Sequence, residues 1–169
     1  WVMNVDENGY PKWEKTYGDN GEDGFNMITR SKDNNFIAVG YSESFFSKGM
    51  NDVLMVKIDS LGNKMWMNLY GGKSDDIANS VFECKDSGFA IAGETTSFGS
   101  GKNDILILKT NSNGVQKWKS TIGGKGVDIG RSIEELPKGG FILSGTSTIS
   151  NLSFDSILIK TDKKGKTSN

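Results

Sequence analysis

The chain has 169 residues and a mass of 18.4 kDa, about one domain by length. Its 20 Lys and Arg against 21 Asp and Glu leave a net charge of −1, which excludes the basic footprint of a nucleic-acid binder. With no His and a single Cys, it has no imidazole triad or His metal site, no internal disulfide and no Cys zinc cluster. No run of about 18 apolar residues exists, so no membrane span is expected. The chain starts on Trp1 without a charged and apolar leader, and it is read as processed or cut from something longer. Cys84 reads as a buried strand thiol.

Landmarks recur along the chain. Trp13, Trp66 and Trp118 stand 53 and 52 residues apart, as do Phe36, Phe89 and Phe141, and Gly40, Gly93 and Gly145. Asp52, Asp104 and Asp155 follow at 52 and 51, with Lys57, Lys109 and Lys160 in step. Gly9, Gly62, Gly114 and Gly165 mark four copies of one turn. A period near 50 points to a repeat architecture such as a propeller.

Within the middle copy the pattern predicts four strands and no helix. Ile77–Cys84 alternates, with Ala78, Ser80, Phe82 and Cys84 on one face and Ile77, Asn79, Val81 and Glu83 on the other. A turn at 86–88 leads to the apolar run Phe89–Glu94. A Gly- and Ser-rich loop over 96–103 precedes Asp104 and the β-branched run that ends at Thr110. Asn111-Ser112-Asn113-Gly114 is a tight turn, and Val115–Ile122 closes the copy around Trp118. The runs 53–56, 105–108 and 157–159 are apolar on both faces, so each sheet is expected between two neighbours. The fold class expected is therefore all-β: a β-propeller of four-stranded antiparallel blades, about three repeats in this chain.

The segment from Val56 through Asp59, Gly62 and Trp66 to Tyr70-Gly71 resembles the tryptophan docking motif of quinoprotein-type β-propellers. Trp66, Tyr70-Gly71-Gly72, Asp75-Asp76, Gly88-Phe89, Thr96-Ser97-Phe98 and Asp104 resemble more closely the roughly 50-residue propeller repeats of bacterial and archaeal surface proteins. The third copy departs, with Ile149-Ser150-Asn151-Leu152 in place of the Gly-rich loop. The resemblance implies that the tryptophans lie on outer strands and wedge between neighbouring blades. It divides the chain into a partial blade at 1–17, blades at 24–70 and 77–122, and a partial blade at 129–162. The fourth strand of that last blade would be missing. The chain is then a segment of a longer protein, or it self-associates to close a ring.

Loops at one end of such a fold carry its function. They supply Asp23, Asp76 and Asp128 in register, together with Phe45, Phe46 and Phe98. The three carboxylates either brace their own turns or form a ring that takes a cation or polar ligand. Phe46 and Phe98 either cover the blade ends or stack on a sugar or peptide. The Asp/Asn-to-Gly turns offer too few oxygens for an EF-hand loop, so calcium is a weak expectation and no other cofactor is expected. Asp75 and Asp76 are adjacent and should point apart, which does not suit a glycosidase pair; Lys73 and Lys125 are the loop residues a lyase would use as bases. No catalytic residue is assigned. The expectation is a non-catalytic binding or structural module of an extracytoplasmic protein, with a protein or carbohydrate ligand; the location comes from the resemblance. The alternative is part of a propeller glycan hydrolase or lyase whose active site lies outside this segment.

Overall fold

The computed structural model describes residues 1–43, 50–150 and 153–167. Among them are thirteen strands, antiparallel within each sheet, and no helix. They form four sheets in chain order. The first is β1 (Val2–Val5) with β2 (Pro11–Lys15). The second is a meander of β3 (Asp23–Arg30), β4 (Phe36–Ser42), β5 (Asp52–Ile58) and β6 (Lys64–Tyr70). The third repeats it with β7 (Asp76–Glu83), β8 (Phe89–Thr95), β9 (Asp104–Thr110) and β10 (Gln116–Ile122). The fourth has β11 (Asp128–Glu135), β12 (Phe141–Ser150) and β13 (Ser153–Thr161).

The sheets pack face to face in that order. Val53 and Met55 of β5 face the core shared with the third sheet, whereas Leu54, Val56 and Ile58 face the core shared with the first. In β9, Leu106 and Leu108 join the second-sheet core while Ile105 and Ile107 join that of the fourth sheet. Both strands are buried along their whole length, which is why they read as continuous apolar runs rather than alternating ones. The run 157–159 is a correction. Ile157 and Ile159 pack inward, but Leu158 is 73 % exposed, because among the described residues no further sheet covers the outer face of β13.

Simple alternation also fails in the first strand of each large sheet. A β-bulge falls at Asn26 in β3, Asn79 in β7 and Arg131 in β11, where two residues oppose one on the neighbouring strand. The extra residue reverses the phase of everything after it. Ala78 and Val81, expected on opposite faces, therefore share one core, and Phe82 and Cys84 face the other. Immediately beside each bulge the neighbouring strand carries glycine. A Cβ on Gly93 would lie 1.9 Å from the Ile77 carbonyl oxygen, and one on Gly40 1.9 Å from that of Gly24.

The tryptophans join consecutive sheets. Trp13 of β2 lies on Gly62 of the next sheet, Trp66 of β6 on Gly114, and Trp118 of β10 on Gly165; a Cβ at these glycines would come within 2.8–2.9 Å of the ring. Each glycine closes an identical turn at positive φ, between 72° and 76°. Trp66 and Trp118 also meet Phe89 and Phe141 edge-on, at 6.2 and 5.8 Å between centroids. Tyr17 donates its hydroxyl to the Gly62 carbonyl at 2.7 Å, and Tyr70 does the same to Gly114. Ile122, the next residue in that series, carries no hydroxyl.

Candidate functional site

The three sequence-aligned carboxylates open β3, β7 and β11 at one edge of the sheets. Each turns back on its own entry loop. The Oδ2 of Asp23 accepts the Asp19 N–H at 3.0 Å, that of Asp76 the Gly72 N–H at 2.8 Å, and that of Asp128 the Gly124 N–H at 2.8 Å. Asp76 also accepts the Ser97 hydroxyl at 2.7 Å, and Asp128 accepts that of Ser147. Among the described residues no three Asp, Glu, Cys or His side chains come together as a metal-binding group. The arrangement braces loops, as an Asp at a strand entry does when it accepts nearby backbone N–H groups.

Sequence spacing did not show that these carboxylates sit beside a second set. Asp52 and Asp76 flank Gly71; a Cβ there would lie 1.9 Å from Asp52 Oδ1 and 2.8 Å from Asp76 Oδ2. Asp104 and Asp128 flank Gly123 in the same way, at 2.3 and 2.8 Å. All four carboxylates are buried. Asp104 is engaged by the N–H groups of Ser100 and Gly101, both at 3.0 Å. The buried Oδ1 of Asp76 has no hydrogen-bond partner among the described residues. The signal in the sequence was the repeated Tyr-Gly-Gly or Ile-Gly-Gly before Asp76 and Asp128, where a side chain on the first glycine would meet a carboxylate.

Asp75 and Asp76 diverge as their adjacency predicts. Asp75 Oδ1 accepts the backbone and side-chain N–H groups of Asn51, at 3.1 and 2.8 Å, while Asp76 turns to Gly72 and Ser97. Lys73 and Lys125 are exposed on the entry loops. Phe98 is half-buried: its ring lies against Gly72, and the Lys119 ammonium sits 3.0 Å from its centroid. Gly72 and the Lys119 ammonium thus both lie against Phe98, which stays partly exposed. Phe46 lies outside the described residues.

At the opposite edge the four Asp/Asn-to-Gly turns share one hydrogen-bond pattern. Asp6, Asp59, Asn111 and Asp162 each use Oδ1 to accept the N–H groups two and four residues on, at 2.8–3.0 Å. These N–H donors hold the Asp59 and Asp162 carboxyls below their ordinary range. The oxygens face the backbone of their own turn.

A cavity of about 460 Å³ lies between β3, β7 and β11, the first strands of the three larger sheets, lined among others by Arg30, Ser80, Glu83 and Ser132. Of its charged residues, Arg30 donates to Asn34 Oδ1 at 2.8 Å and Glu83 accepts the Lys32 N–H at 2.7 Å, while Glu134 is exposed. No protein-family model and no curated protein sequence matches this chain.

Proposed function

We propose that this chain is a β-propeller segment acting as a non-catalytic binding or structural module of an extracytoplasmic protein. The observation that carries the reading is the tryptophan contact. Trp13, Trp66 and Trp118 each lie on the turn glycine of the following sheet, so one joint between sheets recurs three times. A series of small antiparallel sheets packed face to face through one repeated joint is the construction of a propeller. The extracytoplasmic assignment rests on the resemblance to surface-protein repeats. The candidate loop carboxylates are occupied by backbone N–H groups, which favours scaffold over catalysis. The loops, with Phe98 half-exposed at their base, are the surface offered to a protein or carbohydrate ligand. The open outer face of the fourth sheet, with Phe154 and Leu158 exposed, suits a further sheet from more of the chain or from a second copy.

Molar mass by light scattering, followed by glycan and peptide binding panels, tests this reading. A discrete monomer or ring that binds a panel member without turnover supports it. Turnover of a glycan that disappears in the Asp76→Asn/Asp128→Asn double variant, with the fold retained, would overturn it in favour of a hydrolase or lyase.

A further inference from the structure

At the edge opposite the candidate loops, the turns 31–35, 84–88 and 136–140 join the first two strands of the three larger sheets. Asp33, Asp86 and Lys138 occupy the same place in them, 53 and 52 residues apart. In the first two turns the carboxylate has two roles. It accepts an N–H of its own turn, from Asn35 at 3.3 Å or Gly88 at 3.0 Å. It also meets the ammonium of a buried third-strand lysine, Lys57 at 2.6 Å or Lys109 at 2.9 Å. The third turn keeps the same two backbone hydrogen bonds. Leu136 N–H donates to Gly140 O and Gly139 N–H to Leu136 O, both at 2.9 Å, matching the bonds of Cys84 and Ser87. The charge at the position of Asp33 and Asp86 is reversed, and Gly140 takes a positive φ that Asn35 and Gly88 do not.

The reversal leaves a cationic corner. Gly140 has no carboxylate for its N–H, and Lys160, aligned with the buried Lys57 and Lys109, is exposed instead. A Cβ at Gly88 or Gly140 would first meet a carbonyl oxygen, of Thr110 or Thr161; beyond it Gly88 has Lys109 Nζ and Asp86 Oδ1, whereas Gly140 has further backbone of Thr161 and Asp162. The Lys163 side chain lies across Gly139, with Cε 2.5 Å from where a Cβ would be. Lys85, Lys109, Lys138, Lys163 and Glu135 line one cavity of about 330 Å³. Lys85 is bonded to the Pro137 carbonyl and Lys109 to Asp86. Lys138 and Lys163 form no ion pair among the described residues. Gly139 and Gly140 both have positive φ, at 86° and 80°; the Gly139 N–H already donates to Leu136 O, so the Gly140 N–H is the one offered to an anion.

We propose that this corner binds a tetrahedral oxyanion, sulfate or phosphate, between Lys138 and Lys163 and beside the Gly140 N–H. The anion takes the place held by Asp33 and Asp86 in the other two turns. Two free ammonium groups match a doubly charged oxyanion, and the cavity leaves room for a group esterified to it. This inference is independent of the function proposed for the loops.

The test is an NMR titration of the full chain with inorganic phosphate and with glycerol phosphate, at constant ionic strength maintained with chloride. Saturable shifts of the Gly139 and Gly140 amides are expected. Response to inorganic phosphate assigns a free ion, and response to glycerol phosphate alone assigns a monoester. Lys138→Asp rebuilds the charge pattern of the other turns, so it should fold and should bind at least about tenfold more weakly. Lys163→Gln should weaken binding by a smaller factor. The proposal is overturned if neither ligand gives a saturable shift at these glycines, or if Lys138→Asp binds as the parent does.

Discussion

Asn26 Nδ2 donates to the carbonyl of Ala78 across 2.9 Å, and Asn79 Nδ2 repeats the bond 53 residues later to Gly130 at 3.0 Å. Both donors are bulge residues, so the extra residue that interrupts each ladder becomes a bridge to the next sheet. Asn79→Ala should remove that bridge and strand a partly buried carbonyl. The expected loss is about 1 kcal/mol in urea unfolding. An unchanged midpoint would show that the bond adds no net stability.

The glycines opposite the bulges should be far less forgiving. Gly93→Ala places a Cβ 1.9 Å from the Ile77 carbonyl oxygen, on backbone held by two flanking strands. We expect a loss of about 3 kcal/mol or more, or no folded protein. Gly124→Ala has open space around it and an ordinary φ, so it should change stability by less than about 0.5 kcal/mol. Thermal unfolding of the two variants side by side decides the point.

Much of this architecture was legible in the residues. The 52-residue period, the strand bounds near Phe89 and Asp104, and the Asp/Asn-to-Gly turns all depend on local chemistry, which sequence carries directly. The bulge at Asn79 was not legible, because one inserted residue leaves the composition of a strand untouched while inverting its faces. Nor was the Asp52–Gly71–Asp76 cluster, since it forms only when the third strand of one sheet meets the first strand of the next. Lys138 was in plain view, but its meaning depends on what Asp33 and Asp86 do in the folded chain.

Asp33 and Asp86 should make stability depend on pH in acid. The Lys57 and Ser31 hydrogen bonds hold the Asp33 carboxyl well below its ordinary 3.8. At Asp86 burial pushes the value up, but hydrogen bonds from Lys117, Lys109 and the Gly88 N–H outweigh it and the carboxyl ends well below 3.8. A carboxylate lowered on folding contributes its full stability above the unfolded value and loses it as pH falls through the folded one. Stability should therefore decline from about pH 4 downward. Asp86→Asn should be less stable than the parent near neutrality, by about 1 kcal/mol given its exposure, and the two should converge only as pH falls below about 2. Parallel curves would remove Asp86 from the account.

Cys84 should behave as an inert thiol. It is 1 % exposed, and burial pushes its thiol up to about 11, with the Lys109 ammonium opposing only in part. The thiolate is the reactive form, so a disulfide reagent at pH 8 should modify it only as fast as the chain opens. Addition of denaturant should accelerate labelling in step with unfolding. Rapid labelling of the native chain would contradict its burial.

The last prediction separates bracing from ligand binding at the loops. Asp76 is fully buried and accepts both the Gly72 N–H and the Ser97 hydroxyl, so its carboxylate fixes the entry loop to the loop that follows β8. Asp76→Ala leaves the Gly72 N–H without its acceptor and the Ser97 hydroxyl with the Ser74 carbonyl alone, and should cost about 2 kcal/mol. Ser97→Ala removes the same Ser97–Asp76 bond and also the acceptor of the Ser74 N–H, so it should cost a comparable amount. If bracing is the whole role, the double variant should lose less than the sum of the two single ones, because Asp76→Ala has already broken the bond that Ser97 makes. Full additivity would mean that the two side chains act separately, and the carboxylate would then be free to serve a ligand.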